Sequence, residues 1–158
     1  MIDLKKFILV IQGVKMKSMD EVLKEIKEDF ELLNDPDAIV EYIIELGKQN
    51  DMVLKPEEKN DKTLIKGCSS PAWMIEEYKD GKVSFRVEGS SSLAKGMIPL
   101  LLKIFNNRTP DEILSFDPKK LYELGFDKIL SPTRLQSMEA FLNRIYSFAK
   151  RCKENSQN

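Results

Sequence analysis

The spacing of hydrophobic residues predicts a pair of helices near the start of the chain. Ser18 and Glu21 form a capping-box pattern, and the apolar residues that follow recur every three or four positions. Asp35 and Pro36 have the residue types of an N-cap and a first helical position, so a second helix is predicted there. Gly47 is typical of a helix end. The two apolar stripes are Val22, Leu23, Ile26, Phe30 and Leu33 in the first helix, and Ile39, Val40, Ile43, Ile44 and Leu46 in the second.

The middle of the chain changes from helical spacing to alternation. Apolar and polar residues alternate over 82–88, which is typical of a strand with one buried face. Asp80-Gly81 is a two-residue turn signal, so this strand is predicted to form a β-hairpin with 72–78. Residues 63–65 are a candidate short strand. The charged stretch at 50–61 is interpreted as a surface loop.

Later helices are predicted from capping residues that precede proline. Thr109-Pro110, Asp117-Pro118 and Ser131-Pro132 each have the residue types of an N-cap and a first helical position. Another helix follows serines 90–92, which we interpret as caps or, alternatively, as backbone donors to an anion. The predicted divisions are an N-terminal extension of unknown role, a single α+β domain and a frayed tail, at 1–17, 18–153 and 154–158.

The composition is typical of a globular protein and removes several classes of function. The chain has 158 residues, of which 42% are hydrophobic and 32% charged, and its formal net charge is −1. No general attraction to nucleic acid or to an anionic membrane is expected from this balance. No histidine occurs, so the usual general base and the commonest metal ligand are absent. The two cysteines form no metal-binding or disulfide spacing, which favours a reducing, cytoplasmic setting.

The N-terminal segment contains a short apolar run at 7–11, after Lys5-Lys6. Five residues are fewer than the roughly 7–15 of a signal-peptide core and the roughly 20 of a membrane span. We therefore expect neither targeting nor a membrane span. An added strand or helix, or an extension ahead of Met16 or Met19, are the alternatives, and the role of residues 1–16 stays open.

Cys68 is the candidate reactive residue. It follows Gly67 in a run of small and turn-forming residues, which indicates an accessible thiol in a loop. Gly67 permits backbone conformations that other residues avoid, and Lys66 is a nearby cation that would favour the thiolate. From the residues alone a packed side chain stays an alternative, because free cysteine is often buried.

Three further side chains have both a structural and a functional interpretation. Cys152 continues the apolar stripe of the last helix, so packing is predicted, with a resolving thiol for Cys68 as the weaker alternative. Arg134 falls in the first turn of that helix, where the helix dipole disfavours a cation. It therefore reaches solvent or a carboxylate, or it anchors the loop that contains Cys68 or a partner. Trp73 is predicted to belong to the core rather than to an interface.

The segment Gly67-Cys68-Ser69-Ser70-Pro71-Ala72-Trp73-Met74 resembles the "GCxSxVW" segment of the SufE family of sulfur acceptors. Four more segments resemble the family's "YxxLIxLG", "KG", "TPxEI" and "LSPxR" patterns in the same order. They are Tyr42-Ile43-Ile44-Glu45-Leu46-Gly47, Lys95-Gly96, Thr109-Pro110-Asp111-Glu112-Ile113 and Leu130-Ser131-Pro132-Thr133-Arg134. The resemblance covers about residues 20 to 151, and the ordered set is far more specific than any one segment.

The resemblance implies helices packed against a small antiparallel sheet, similar to the IscU-type scaffold. It also implies an accessory protein rather than a free-standing enzyme. Cys68 would accept persulfide sulfur from a SufS-type cysteine desulfurase and pass it to a SufBCD-like scaffold for iron–sulfur cluster assembly. Pyridoxal phosphate belongs to that desulfurase, so no cofactor is expected in this chain. The family suggests a monomer or a homodimer.

The resemblance also implies a group of residues that bind the partner or support the loop around Cys68. Its members are Lys66, Gly67, Ser69, Ser70, Ser90 and Arg134. Three positions depart from the family pattern. Ser90 stands where the family has aspartate, Gln136-Ser137 replaces "NG" or "QG", and 49–51 replaces "LP". Loop dynamics or partner affinity are therefore expected to differ in this chain.

Two other classes of function compete with a sulfur acceptor. A redox sensor or thiol peroxidase would form sulfenic acid on Cys68 and usually needs a resolving thiol nearby. A metal or iron–sulfur scaffold needs about four ligands, and two cysteines without histidine do not supply them.

Overall fold

The computed structural model describes residues 4–5 and 16–156 and shows helices packed against a two-stranded antiparallel sheet. The predicted α+β fold is therefore confirmed. Two 3₁₀ helices lie at Pro56–Glu58 and Pro118–Leu124. The helices and strands are, in chain order, α1 (Met19–Leu33), α2 (Pro36–Lys48), β1 (Ala72–Lys79), β2 (Lys82–Gly89), α3 (Ser92–Phe105), α4 (Pro110–Ser115), α5 (Phe126–Ile129) and α6 (Pro132–Ser156).

The helices begin at the capping residues that the sequence predicts. Ser18 Oγ accepts a hydrogen bond of 3.1 Å from the Glu21 N–H, and Asp35 Oδ2 accepts one of 3.2 Å from the Ala38 N–H. At the start of α3 the cap is Ser91, whose Oγ accepts from the helix backbone. Each bond satisfies a backbone donor that the first helical turn leaves unpaired. Local chemistry therefore sets where these helices start.

The β-hairpin has the predicted turn. Asp80 and Gly81 both have positive φ angles, 55° and 78°, as a two-residue turn between right-twisted strands requires. Val83, Phe85 and Val87 are buried on one face of β2. The predicted strand at 63–65 is reduced to an isolated bridge between Leu64 and Trp73, which extends the sheet beside β1.

Trp73 does not belong to the core, so that prediction is wrong. Ala72 and Met74 on either side of it are buried, and Trp73 is half-buried on the opposite face of β1. The Lys59 ammonium lies 5.3 Å from the centre of its ring. Successive side chains of a strand point to opposite faces of the sheet. Ala72 and Met74 face the core, so Trp73 between them lies on the other face.

Gly47 is not the end of its helix, because α2 continues to Lys48. A Cβ atom at Gly47 would lie 2.8 Å from the Ser92 carbonyl oxygen and 2.9 Å from the Gly96 backbone nitrogen. The glycine therefore permits close packing of α2 on α3. The predicted role of Gly47 as a helix end is therefore wrong, and the glycine is explained by the close contact between the two helices.

The last helix is longer than predicted, since it continues to Ser156 rather than ending near 153. Cys152 is buried on its inner face, as predicted. The apolar run at 7–11 lies outside the described residues, as does the C-terminal pair at 157–158. In the part of the chain that is described, no helix is both long and apolar enough to cross a membrane.

Candidate functional site

Cys68 lies in a short loop whose two ends are joined by the sheet. This Cys68 loop comprises residues 66–71, between Ile65 and Ala72. The Ile65 N–H donates to the Ala72 carbonyl at 2.8 Å, which closes the neck of the loop. The Met74 N–H donates to the Thr63 carbonyl at 2.8 Å and continues the ladder. Ile65 and Ala72 are therefore paired where the loop begins and ends, and residues 66–71 lie outside the hydrogen-bonded ladder.

Gly67 is required by the backbone of the Cys68 loop. Its φ angle is 96°, a conformation that residues with a side chain rarely adopt. A Cβ atom there would lie 3.2 Å from the Ala140 Cβ on α6. The loop therefore turns tightly against the helix. A larger residue at this position would have an unfavourable backbone conformation and would also crowd the Ala140 side chain.

The Cys68 side chain is half-buried and lines an apolar cavity of about 130 Å³. The walls come from the Cys68 loop, from the start of α3 and from α6 with the segment just before it. They are mainly aliphatic, with hydroxyl groups near the thiol. The lining comprises Ile65, Cys68, Ser69, Ser70, Ala72, Ser91, Leu93, Ala94, Met97, Ile98, Leu101, Leu130, Arg134, Ser137, Met138 and Phe141.

The surroundings of Cys68 favour the protonated thiol. Burial raises the pKa of Cys68, and a hydrogen bond with Ser137 lowers it by a smaller amount. Lys66 was expected to favour the thiolate, but it is exposed and is not among the causes of this shift. The resting thiol is therefore less acidic than an ordinary cysteine.

Ser137 on α6 contacts the tip of the Cys68 loop at three points. The Cys68 thiol lies 3.7 Å from the Ser137 carbonyl oxygen, and the Ser69 N–H donates to Ser137 Oγ at 3.0 Å. The hydroxyl oxygens of Ser69 and Ser137 are 3.3 Å apart. Sequence reasoning noted Ser137 as a departure from a family pattern but did not place it in the site. No local signal could do so, because the contact joins residues 68 positions apart.

Ser90 supports the other end of the loop. Its hydroxyl donates a hydrogen bond of 2.7 Å to the Pro71 carbonyl, next to the neck. Ser91, not Ser90, caps α3. Ser70 is half-buried and lines the cavity. Ser69 and Ser70 therefore line the cavity with Cys68, whereas Ser90 contacts the loop at its neck.

Arg134 lies beside the same cavity and is exposed. Its N–H donates to Ser131 Oγ at 3.3 Å, which confirms Ser131 as the N-cap of α6. Within residues 16–156 its guanidinium makes no hydrogen bond or ion pair. Arg134 is therefore not an anchor of the Cys68 loop in this conformation.

Cys152 is too distant to act as a resolving thiol for Cys68. Ser137 contacts Cys68, and Cys152 lies on the same helix 15 residues further on. At 1.5 Å per residue this separation is roughly 22 Å along the helix axis. A disulfide requires Cα atoms within about 7 Å of each other. The two thiols cannot pair without rebuilding α6.

Taken together, the fold and site define a small α+β domain with a single thiol loop above an apolar cavity. The SufE family model, described as an Fe-S metabolism associated domain, matches residues 24–149. The chain therefore belongs to the SufE family, and the association with iron–sulfur metabolism comes with that membership.

A solved structure shows the same fold. It is the solution structure of a hypothetical protein from Thermus thermophilus. The two chains superpose with a TM-score of 0.65 at 20% sequence identity, over 82% of this chain and 94% of the other. At this identity the likeness concerns the fold alone.

Proposed function

We propose that this protein accepts persulfide sulfur on Cys68 from a SufS-type cysteine desulfurase and passes it on for iron–sulfur cluster assembly. One observation carries the proposal: the half-buried thiol of a SufE-family chain lies in a loop that lines an apolar cavity. In this proposal the protein is an accessory to the desulfurase and increases its turnover by removing the product sulfur.

The proposed transfer is an exchange at sulfur that requires no oxidant or reductant. The Cys68 thiolate attacks the terminal sulfur of the persulfide on the desulfurase cysteine. A sulfur–sulfur bond forms on Cys68, the sulfur–sulfur bond of the desulfurase persulfide breaks, and the desulfurase cysteine leaves as a thiolate. The proton of the Cys68 thiol passes to solvent, and the leaving thiolate takes one up. Pyridoxal phosphate acts only in the desulfurase, where it releases sulfur from free cysteine.

The cavity suits storage of the transferred sulfur. Its volume of about 130 Å³ is well above the roughly 10–15 Å³ that a single water molecule needs on the same measure. One added sulfur atom on Cys68 therefore fits without displacing the core. Aliphatic walls would separate the persulfide from water-soluble reductants. The raised pKa of the resting thiol fits the same scheme, since the thiol becomes reactive when the loop leaves its buried position.

The deciding experiment combines the purified protein with a SufS-type desulfurase, pyridoxal phosphate and cysteine. Peptide mapping by mass spectrometry should find one or more added sulfur atoms on Cys68 and none on Cys152. Cys68→Ser should abolish the adduct and the stimulation of sulfide release. Unchanged desulfurase turnover, together with peroxide-derived oxygen as the only modification of Cys68, would refute the proposal and favour a redox sensor.

The partner surface is proposed to include Arg134 and Lys66, two exposed cations close to Cys68. Arg134→Ala should weaken stimulation of the desulfurase while the unfolding midpoint stays unchanged. Lys128→Ala is a matched control, because Lys128 is exposed on α5 and does not line the cavity. Equal stimulation by Arg134→Ala and the parent protein would remove Arg134 from the partner surface.

The sulfur recipient is proposed to be a SufBCD-like scaffold complex. A chase of Cys68-bound sulfur into that complex, with free desulfurase removed, measures this step directly. Retention of the sulfur on Cys68 in the presence of the scaffold would exclude it as the direct recipient. A redox role for Cys68 is not favoured, because Cys152 lies roughly 22 Å along α6 from the Cys68 contact.

A further inference from the structure

The tip of the Cys68 loop is hydrogen-bonded to a single residue of another element. The Cys68 thiol donates to the backbone carbonyl of Ser137 at 3.7 Å, and the Ser69 N–H donates to the Ser137 hydroxyl oxygen at 3.0 Å. In the described part of the chain, the hydrogen bonds that residues 67–69 make with another element all go to Ser137. The neck is held separately, by the Ile65–Ala72 ladder bond and by Ser90. The loop therefore has a fixed base and a tip that depends on Ser137.

The Ser137 hydroxyl is oriented for this contact. It donates to the Thr133 carbonyl of its own helix at 3.2 Å, which directs its proton away from the loop. Its oxygen is then free to accept from the Ser69 N–H. Because α6 is a long, continuous helix, the acceptor has a fixed position relative to the cavity.

We propose that Ser137 is a positioning residue that holds the tip of the Cys68 loop closed and sets how often the thiol is exposed. Opening breaks the contacts with Ser137 and leaves the hydrogen bonds of the neck intact. Loss of one such hydrogen bond shifts an equilibrium about fivefold. This holding role is independent of what reacts with the thiol. Its effect on sulfur transfer rests on the function proposed above.

Alkylation by iodoacetamide, followed by peptide mapping, tests the proposal on the full-length protein. Ser137→Ala should raise the rate at Cys68 about fivefold. Cys152 is buried in the core and serves as an internal reporter of global unfolding, so its slow rate should stay at the parental value. A parallel rise at both cysteines would show general destabilisation and overturn the proposal.

Two further variants separate the hydroxyl from the helix. Ser137→Thr keeps a hydroxyl at the same position and should restore a rate close to that of the parent. Ser147→Ala makes the same change on α6 at an exposed serine whose hydroxyl makes no hydrogen bond within residues 16–156, and should leave Cys68 unaffected. Equal rates in Ser137→Ala and Ser147→Ala would refute a holding role for Ser137.

The pH profile distinguishes a change of position from a change of acidity. If Ser137 acts on loop opening, Ser137→Ala multiplies the Cys68 rate by the same factor from pH 6 to pH 9. A factor that is confined to the region of the thiol pKa would mean that Ser137 acts on acidity instead, and would overturn the proposal.

Sulfur loading keeps this inference apart from the proposed function. Faster alkylation of Ser137→Ala, with no sulfur accepted by either protein, would sustain the holding role and refute the sulfur acceptor. If Ser137→Ala is alkylated at the parental rate and both proteins accept sulfur normally, the holding role is refuted and the sulfur acceptor is sustained.

Discussion

The backbone of Gly96 in α3 lies against the carbonyl group of Ile43 in α2, so closely that a Cβ atom on Gly96 would overlap that oxygen. Both residues are buried. A side chain at this position would therefore force the two helices apart. Because α3 also provides part of the cavity below Cys68, this crossing fixes the floor of the site as well as the core.

Gly96→Ala should therefore lower the free energy of unfolding by about 3 kcal/mol, toward the upper end of the usual cost of overpacking. Urea denaturation at constant temperature measures the change. Lys95→Ala, at the exposed neighbouring position, should stay within about 0.5 kcal/mol of the parent. A loss no larger than that of Lys95→Ala would contradict the close approach of the two helices.

Arg144 on α6 is hydrogen-bonded to the segment that leads into the Cys68 loop. Its guanidinium donates to the carbonyls of Lys62, Thr63 and Leu64 at 2.7 to 3.1 Å, and its Nε pairs with Glu76 at 2.7 Å. Lysine has a point charge and cannot reproduce this fork. Arg144→Lys should cost about 1–3 kcal/mol, because three part-buried acceptors lose donors that lysine cannot replace together.

The control for Arg144 is Arg151→Lys, on the same helix and facing the same carboxylate. Arg151 is exposed and lies 3.5 Å from Glu76, so its replacement should change stability by less than about 1 kcal/mol. Similar losses from both variants in urea denaturation would show that charge, rather than the fork geometry of Arg144, matters here.

Ser90→Ala should loosen the neck of the Cys68 loop. The hydroxyl donor to the Pro71 carbonyl is lost, and water replaces it because Ser90 is exposed, so the expected cost is about 0.5–1.5 kcal/mol. Hydrogen exchange at the backbone amides of 66–70 and 72 measures the effect. Ser92→Ala, at a nearby serine that is also exposed, should leave that exchange unchanged. Identical exchange in parent and Ser90→Ala would exclude Ser90 as a support.

Cys68 should make the stability of the protein depend on alkaline pH. Its pKa is raised in the folded state by burial, so its favourable contribution is complete below the ordinary thiol pKa of about 8.5. That contribution is lost as the pH rises through the higher folded-state value, because the unfolded chain then loses its proton more readily. From pH 7 to pH 10, the free energy of unfolding of the parent should therefore fall relative to that of Cys68→Ala.

Urea denaturation of both proteins at each pH measures that difference and cancels the titration of all other groups, including Cys152. A difference that stays constant between pH 7 and pH 10 would show that the Cys68 thiol titrates alike in the folded and unfolded chains.

Local chemistry accounts for what could be predicted from the sequence. Ser18, Asp35 and Ser131 each bond to backbone groups three residues away, so their residue types and their neighbours identify the helix starts. The turn at Asp80-Gly81 and the loop around Cys68 follow from the same kind of short-range signal. The five segments that resemble SufE patterns in order also predicted the family of the chain, which the family model confirms.

What the sequence could not supply depends on contacts between distant segments. Ser137 meets Ser69 across 68 positions, and Arg144 meets Lys62 across 82. Gly47 looked like a helix end because a close helix crossing leaves no local trace. Trp73 was misassigned because strand alternation does not reveal which face the helices cover. The loop that contains Cys68 was therefore predictable, whereas the residues that hold it were not.

The long separation between Ser69 and Ser137 also has a consequence for the order of folding. Contacts between distant positions carry the entropy of closing a long stretch of chain. The segment from α1 to β2 contains Cys68, yet part of the wall that covers its thiol is provided by α6, which leaves the ribosome much later. A nascent chain that ends before Pro132 therefore lacks the part of the thiol's surroundings that α6 provides. The shielding of Cys68 is complete only after α6 has been synthesised and has packed against the loop.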